Sequence, residues 1–238
     1  LDLSFGLRHD ANSRFGGDTT ASGGGAVQLP FATRLRGSYQ EGFRAPTTSE
    51  LGFNPDLRPE RSTGWDIGLE SDFNRDDVRF SITYFSQDVT DLISFDPFLF
   101  IPVNLQTYES EGVEVSAHYS PLDSLSFEGA YTYTDARNIS LDSRALRQPK
   151  HRASLRVNYK PVEKLQLSAR LYFNGRELDF GQVDVDRFTT VSFTASYELS
   201  DGLEVFGRVE NLTDKNYQDI AGFGTPGASA YGGIRTRF

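Results

Sequence analysis

A serine–histidine pair is the chemistry to test first in this sequence, because it could support hydrolysis. Ser116 and His118 lie two residues apart, and the chain has three histidines in all. A serine nucleophile needs a histidine within hydrogen-bond distance and a third polar group to orient that histidine. Side chains two residues apart on a strand are separated by about 7 Å, which is longer than such a hydrogen bond. We therefore expect no catalytic residues and no enzyme.

Carboxylates are the next candidates, as metal ligands. Asp184 and Asp186, with Glu177 and Asp179 nearby, could hold a calcium ion through their oxygens. No D-x-[DN]-x-[DN]-G motif with a distal glutamate occurs, so solvated loop carboxylates are favoured. The absence of cysteine excludes disulfides, thiolate metal sites and cysteine nucleophiles. We expect no bound metal and no cofactor.

Overall charge and hydropathy exclude two further classes. The formal net charge of the 238 residues is -9, whereas a nucleic-acid-binding protein needs a basic face to neutralise phosphates. No run of 18 or more apolar residues occurs, which excludes a transmembrane helix. Transmembrane β-strands remain possible, because only every second residue of such a strand faces lipid.

The elements that must position these side chains are β-strands. In 125–134, Leu, Phe, Gly, Tyr and Tyr alternate with Ser, Glu, Ala, Thr and Thr, and the same two-residue period recurs in 77–89, 150–160, 164–175 and 187–199. A helix would spread these apolar residues around its circumference. We predict twelve strands, near 2–9, 22–29, 32–43, 63–73, 77–89, 101–119, 124–136, 150–160, 164–175, 187–199, 203–212 and 228–238.

The connections between the predicted strands alternate between short and long. The short ones are placed near 29–32, 74–77, 121–124, 161–163 and 200–202. The long ones are placed near 10–22, 44–62, 90–100, 135–149, 175–187 and 212–226. This alternation is typical of outer-membrane barrels and predicts that the two kinds of connection lie on opposite rims. The predicted fold class is therefore all-β, an antiparallel transmembrane β-barrel; a soluble β-sandwich is the alternative.

Charged side chains indicate which face of the sheet points inward. On the predicted strands, arginines and glutamates lie opposite the apolar stripe. An arginine facing lipid at mid-depth costs about 2–4 kcal/mol, so this face must line the lumen. These residues are Glu128, Arg156, Arg170, Glu198, Glu204, Arg208, Glu210, Arg235 and Arg237.

Two segments resemble the barrel of TonB-dependent outer-membrane receptors. The first is 41–47, EGFRAPT, followed by 49–60, SELGFNPDLRPE; the second is 209–217, VENLTDKNY, before a Gly/Pro-rich loop and a final strand ending in phenylalanine. Smaller patches at 111–114 and 147–152 also match, so the resemblance runs from about Gly37 onward. The residues that carry it are Arg44, Pro46, Glu50, Asn54, Pro55, Glu60, Asn211 and Phe238.

The resemblance implies a fold, a location and partners. It implies a 22-stranded barrel in the outer membrane of a Gram-negative bacterium, filled by an N-terminal plug through which TonB acts. Residues 1–238 would then be a single β-barrel segment that lacks the plug and cannot transport actively alone. The implied ligand is cobalamin or, next, a ferric siderophore. Outer-membrane lipid and, through the strand ending in Phe238, the barrel-insertion machinery are the other implied partners.

An alternative that the residues leave open is a self-contained twelve-stranded passive pore or barrel enzyme. If the chain is instead part of a larger barrel, segments 2–9 and 228–238 were not selected to pair with each other. We then expect open edges or an imperfect seam at these two segments, since backbone pairing alone specifies register weakly.

The loops contain the candidate binding residues. Pro46, Pro55 and Pro59 cannot donate to a ladder, so residues 45–60 should leave the sheet. Ion pairs could hold this loop, and the charged residues that could form them are Arg44, Glu50, Arg58, Glu60 and Arg61. Asn211 and Asp214 are expected to form a turn.

Aromatic side chains give a large contact area with few rotatable bonds, and four in predicted outer loops are the candidate ligand contacts: Phe53, Phe98, Phe100 and Phe223.

Overall fold

Among the described residues, twelve long strands form the main sheet, as predicted. The computed structural model describes residues 1–73, 77–96 and 98–237, without the side chains of residues 105 and 106. The strands are β1 (Asp2–Asn12), β2 (Gly16–Leu29), β3 (Thr33–Arg44), β4 (Glu60–Phe73), β5 (Val78–Asp96), β6 (Ile101–Leu122), β7 (Leu125–Asn138), β8 (Ser143–Arg144), β9 (His151–Val162), β10 (Leu165–Asn174), β11 (Glu177–Asp179), β12 (Val183–Val185), β13 (Phe188–Ser200), β14 (Leu203–Glu210) and β15 (Ser229–Thr236).

The strand order follows the chain. The hydrogen-bonded sequence is β1-β2-β3-β4-β5-β6-β7-β9-β10-β13-β14-β15, with the two-residue β8 attached to β7 and a separate hairpin of β11 and β12. The ladders whose register is described are antiparallel. Neighbouring strands in sequence are thus neighbours in space, which is the simplest way to pair every backbone group.

Two segments predicted to be long loops are mostly strand, so these two predictions were wrong. Segment 10–22 is mostly strand, with β1 and β2 joined by residues 13–15, and β5 extends to Asp96 through most of the predicted loop 90–100. The ladder between β1 and β2 continues to the pair Asn12 and Gly16. The loss of apolar alternation marks where the lipid-facing stripe ends, whereas backbone pairing continues beyond it. The predicted turn at 74–77 falls mostly on 74–76, outside the described residues.

The chain divides into two compact units. Unit 1 comprises Leu1–Glu70, Thr83–Val113 and Thr134–Ala145. Unit 2 comprises Ser71–Ile82, Glu114–Tyr133 and Leu146–Phe238.

In unit 2 the register aligns the apolar stripes of neighbouring strands. Leu171 of β10 pairs with Leu155 of β9 on one side and with Val191 of β13 on the other. Opposite-face residues align in the same way, and Arg170 pairs with Arg156, which pairs with Glu128 of β7. Because side chains alternate across a strand, one face of this sheet is continuously apolar and the other polar.

The apolar face is exposed in unit 2. Leu155 is 45% exposed, Leu171 40% and Phe193 39%. Within the described residues, the buried hydrophobic side chains are Ala26, Leu57, Ala136, Ala145, Val185 and Phe188, and none belongs to the stripes of β9 and β10. A soluble β-sandwich must bury those stripes against a second sheet. That alternative is therefore wrong.

Unit 1 has the same division between faces. On the polar face, Arg36 of β3 donates to Asp66 at 2.6 Å, to Glu70 at 2.7 Å and to the hydroxyl of Thr83 at 2.9 Å. On the apolar face, β1 presents Leu3, Phe5 and Leu7, all more than 60% exposed. A guanidinium that makes these three hydrogen bonds is stable on a sheet face that meets water or protein.

Two-residue turns join the strands at one end of unit 2. They comprise residues 123–124, 163–164 and 201–202. Gly202 has a φ of 77°, and a Cβ at this position would lie 2.6 Å from the Arg237 carbonyl oxygen. Only glycine avoids both the strain of that φ and this clash, so Gly202 fixes how β14 approaches β15.

The terminal strands have one neighbour each. Within the described residues, β1 is hydrogen-bonded to β2, and β15 is hydrogen-bonded to β14. These are the open edges expected for segments 2–9 and 228–238. Separately, no helix among the described residues is long and apolar enough to cross a membrane.

The exposed stripe gives a stability prediction. Leu171→Arg places a charge on the apolar face of β10 and should destabilise the barrel by about 2–4 kcal/mol near mid-depth. Gln166→Arg on the polar face of the same strand should change stability by less than about 1 kcal/mol. Guanidinium unfolding of the full-length receptor in lipid vesicles measures both values. A smaller loss for Leu171→Arg than for Gln166→Arg would mean that the faces are reversed.

Candidate functional site

The loop between β3 and β4 carries the helix α1 (Thr48–Phe53), which begins at a complete capping box. The Thr47 hydroxyl accepts from the Glu50 N–H at 3.2 Å, and the Glu50 carboxylate accepts from the Thr47 N–H at 2.7 Å. The Thr47 backbone N–H, aided by the Thr47 hydroxyl and the Arg44 charge, lowers the pKa of Glu50. Six residues of helix are thereby held between prolines that cannot join the sheet.

Arg44 ties this helix to the sheet. Its guanidinium lies 3.2 Å from the Glu50 carboxylate and 2.6 Å from that of Glu60 at the start of β4. Glu60, only 13% exposed, also accepts from the backbone N–H of Ile93 at 2.8 Å. One cation therefore closes the loop by bridging two carboxylates, and Pro46 lies buried beside it.

The other predicted loop cations pair elsewhere. Arg58 pairs with Asp91, and Arg61 pairs with Asp18 at 2.6 Å. Asn54 donates to the Pro102 carbonyl at 2.9 Å, and Arg14 of the β1–β2 turn donates to the Pro55 carbonyl. The loops at 13–15 and 45–59 of unit 1 are thus joined by side-chain contacts to the adjoining ends of β5 and β6, at residues 91–96 and 98–104; we name these segments loop cluster 1.

Two of the four candidate phenylalanines meet in loop cluster 1. Phe53 and Phe100 line one cavity of about 280 Å³ together with Phe95 and Glu50. Phe95 and Phe100 are in edge contact, with ring centroids 6.3 Å apart. Phe98 does not line this cavity and is 90% exposed. Phe223 belongs to unit 2, where it is 69% exposed and pairs with Ile220 across a short bridge.

Asp179 is the centre of a second group of loops in unit 2. It is 2% exposed and accepts from the Arg147 guanidinium at 2.7 Å, the Ala221 N–H at 2.7 Å and the Phe180 N–H at 2.8 Å. Burial alone would raise its pKa, yet these donors outweigh burial, and the pKa of Asp179 is lowered. The loops at 146–150, 175–187 and 211–228 meet here; we name them loop cluster 2.

Aromatic packing and an asparagine complete loop cluster 2. Phe188 stacks on Tyr217 with ring centroids 4.1 Å apart. Asn211, 6% exposed and with a φ of 48°, donates to the Lys215 carbonyl at 2.9 Å and accepts from the Lys215 N–H. Asp214 also has a positive φ and accepts from the Ala228 N–H at 2.8 Å. Asn211 and Asp214 therefore form the turn proposed from the sequence.

The carboxylates considered as calcium ligands have different roles. Asp186 is 89% exposed in its side chain and lies 3.4 Å from Arg176. Glu177 is nearly buried, and burial raises its pKa against the opposing hydrogen bond from Asn174. In the part of the chain that is described, no group of three or more His, Asp or Glu residues is arranged to hold a metal ion.

The serine and histidine considered for hydrolysis pair with other residues. The Ser116 hydroxyl lies 2.7 Å from the Ser81 hydroxyl, and His118 Nε2 lies 2.8 Å from the Ser120 hydroxyl. Both contacts lie on the polar face of unit 2. The geometry between Ser116 and His118 required of a nucleophile and its base is not formed.

Two organising residues were missed from the sequence. Asn104 accepts from the Arg58 N–H at 2.8 Å and donates to the Arg58 carbonyl at 2.9 Å and the Asp91 carbonyl at 2.6 Å. Arg147 was recognised only as part of a matching patch, although it supports Asp179. Asn104 contacts Arg58 across 46 positions and Arg147 contacts Asp179 across 32, and no local sequence pattern predicts such contacts. Phe238, expected to be recognised during insertion, lies outside the described residues.

Comparison with known proteins places the chain in a family. The family described as TonB dependent receptor-like, beta-barrel, matches residues 1–212. The vitamin B12 transporter BtuB of Photobacterium profundum is 30% identical in an alignment of 224 residues that covers 89% of this chain and 36% of that transporter. The chain therefore belongs to the TonB-dependent receptor β-barrel family, whose members are outer-membrane proteins of Gram-negative bacteria.

Solved structures show the same fold. The ferric enterobactin receptor of Pseudomonas aeruginosa superposes with a TM-score of 0.86 at 18% identity, over 99% of this chain and 42% of that one. The copper transporter OprC superposes with a TM-score of 0.82 at 19% identity, over 99% of this chain and 44% of that one. The chain thus spans less than half the length of each relative. Its strands have the antiparallel arrangement of this family's membrane barrels.

The lowered pKa of Glu50 gives a pH prediction. Its stabilising effect on loop cluster 1 should be complete above the ordinary glutamate pKa of about 4.3 and disappear as the pH falls through the lower folded value. Glu50→Gln should therefore open the 45–59 loop by up to about 1 kcal/mol at pH 7 and by progressively less as the pH falls through the lowered folded pKa. Amide hydrogen exchange of 45–59, compared with the parent at each pH, measures this. Glu163→Gln, in a two-residue turn, is the control, and a difference independent of pH would contradict the assignment.

Asp179 gives a second stability prediction. Asp179→Asn removes the charge that holds Arg147 and weakens acceptance from Ala221, so segment 211–228 should open more easily by about 1–3 kcal/mol. Asp186→Asn removes an exposed carboxylate from the same cluster and should change opening by less than about 0.5 kcal/mol. The rate of limited proteolysis within 211–228 reports opening. Equal rates for the two variants would show that Asp179 does not anchor the cluster.

Proposed function

We propose that the chain is barrel wall from a TonB-dependent receptor that imports a bulky, scarce nutrient, cobalamin first and a ferric siderophore second. The observation that carries this proposal is the 30% identity to a vitamin B12 transporter across 89% of the chain. The ferric enterobactin receptors among the structural relatives are the reason for keeping siderophores as the second ligand class.

Loop cluster 1 supplies the means of capture. Phe53, Phe98 and Phe100 are 66%, 90% and 72% exposed, and the first and last line a shared cavity. Large aromatic side chains left in water are unfavourable unless they meet a ligand or another protein. The Arg44 bridge fixes the helix that ends at Phe53, so the ring is presented on a preorganised loop. Phe223 of loop cluster 2 is proposed as a fourth contact.

The remaining roles are proposed for the whole receptor. The wall would be one domain, residues 1–238, within a 22-stranded barrel, and a plug outside this chain would bind TonB and couple energy to uptake. The apolar stripe meets outer-membrane lipid, and the strand that ends in Phe238 is proposed to be recognised by the barrel-insertion machinery. In this scheme the residues of the chain bind and guide the ligand, and they perform no chemical step.

Alanine substitution of the four phenylalanines tests the proposal. In the full-length receptor, Phe53→Ala and Phe100→Ala should each weaken surface binding by about 1–3 kcal/mol, because each removes an aromatic contact with the ligand. Phe98→Ala and Phe223→Ala should have smaller effects in the same direction. Binding of cyanocobalamin and of ferric enterobactin to intact cells measures these changes, with receptor amount determined in parallel.

A lipid-facing aromatic supplies the control. Phe193→Ala removes a ring that is 39% exposed on the apolar face and should leave ligand binding unchanged. If all four loop variants bind both ligands as the parent does, the loops do not capture them. If the parent binds neither ligand, both proposed ligand classes are wrong.

A further inference from the structure

The turn between β2 and β3, residues 30–32, is strained and contains no glycine. Phe31 has a φ of 62° and Ala32 a φ of 52°, in the left-handed region that residues with a Cβ rarely adopt. Hairpin turns usually place glycine or asparagine at such positions, as unit 2 does with Gly202. The backbone of this turn is therefore held in an unfavourable conformation with an aromatic side chain at its tip.

The tip of this turn is apolar and exposed. Phe31 is 86% exposed, and Pro30 and Ala32 beside it are exposed as well. By contrast, each two-residue turn of unit 2 contains a charged residue, at 123–124, 163–164 and 201–202. Backbone strain that is kept around an exposed ring indicates that the ring has a role, and an apolar surrounding is the one that suits it.

The turn continues the apolar stripe of unit 1. Leu3 of β1, on the apolar face, pairs with Gly25 of β2. Val27 and Leu29 follow on the same face at intervals of two residues, and Phe31 comes next at the same interval. Because β3 runs from the turn to loop cluster 1, the turn lies at the opposite end of unit 1 from that cluster.

A carboxylate marks the other end of the stripe. Glu41 of β3 is four residues from Gly37, the ladder partner of Gly25, so Glu41 lies on the apolar side of the sheet. Its carboxylate accepts from the backbone N–H of Ala21 at 2.8 Å. A carboxylate is strongly disfavoured in hydrocarbon, so the row of Ala21 and Glu41 marks the membrane boundary nearer loop cluster 1.

The height of the stripe then locates the far boundary. From Ala21 to Leu29 the strand advances about 26 Å, which is about 20 Å of height at a strand tilt of about 40°. The apolar band of outer-membrane barrels is about 25 Å tall. The stripe on β2 thus ends about 5 Å short of the far boundary, and the turn that carries Phe31 spans the remaining distance.

We propose that Phe31 is a membrane anchor. Its ring lies at the boundary between hydrocarbon and headgroups, in the leaflet farther from loop cluster 1, and fixes the depth of the β2–β3 hairpin. Aromatic rings are favoured at this boundary. Residues 30–32 carry no charge, so the anchor recognises the edge of the hydrocarbon and requires no anionic headgroup. The inference holds for any ligand that the receptor imports.

The depth of a nitroxide label beside an intact Phe31 tests the proposal. Pro30→Cys is labelled in the full-length receptor in phospholipid vesicles, with cysteines outside this chain replaced by serine. The chain has no cysteine of its own. Accessibility of the label to oxygen, which enters hydrocarbon, and to a water-soluble nickel chelate gives its depth. Val27→Cys is the reference in hydrocarbon, and Glu163→Cys, in a charged turn, is the reference in water.

We expect the label at residue 30 to lie within about 5 Å of the hydrocarbon boundary, with or without anionic lipid. Phe31→Asn with Ala32→Gly suits the positive φ values, so the hairpin should stay closed while the label moves into water. Phe31→Trp should keep the label at the boundary, because tryptophan also favours it. Should Pro30→Cys fail to insert, Leu29→Cys reports the same shift.

Three results overturn the inference. A label at residue 30 that nickel reaches as readily as the label at residue 163 shows that the tip lies in water. An unchanged depth after Phe31→Asn with Ala32→Gly shows that the ring is not the anchor. Access of nickel in vesicles together with protection in cells shows that a protein, and not lipid, covers the tip.

Discussion

The structure depends on one requirement, that backbone N–H and C=O groups be paired where water is absent. An unpaired group in lipid costs several kcal/mol, so each strand must be bonded to its neighbours along its full membrane length. The chain meets this requirement through ladders between successive strands, and it does so with very few buried hydrophobic side chains. Because few side chains are needed to form a core, the apolar and polar faces of the sheet can each suit a different environment.

Outside the sheet, side-chain hydrogen bonds hold the loops in place. Apart from the short β11–β12 hairpin, the described loops are held mainly by side chains, and each unit uses a nearly buried carboxylate with several donors: Glu60 in loop cluster 1 and Asp179 in loop cluster 2. Charge-assisted hydrogen bonds of this kind fix orientation as well as position. The loops proposed to contact the ligand are thus attached to the sheet through these charge-paired carboxylates.

The sequence predicted the sheet far better than the loops. The period of two predicted five strands, and Leu165 to Phe173 or Val191 to Leu199 could be assigned from it alone. It failed at β1 and β2, because Thr19 and Gly17 still pair after the apolar stripe has ended. Arg44, Glu50 and Glu60 were proposed together from their proximity in sequence. Asn104 and Asp179 could not be, since Arg58 lies 46 positions from Asn104 and Arg147 lies 32 positions from Asp179, and only the folded chain brings them together.

The alternation of side chains also has a consequence for the route by which such a protein reaches its destination. Polar residues recur at about every second position of the strands. The extended chain is therefore not apolar enough to insert as a helix into the first bilayer that it crosses. Only after hairpins form do the separated apolar side chains, such as Leu155 and Leu171, gather on one surface. The same residues can therefore cross one membrane without inserting into it and become anchored in the next.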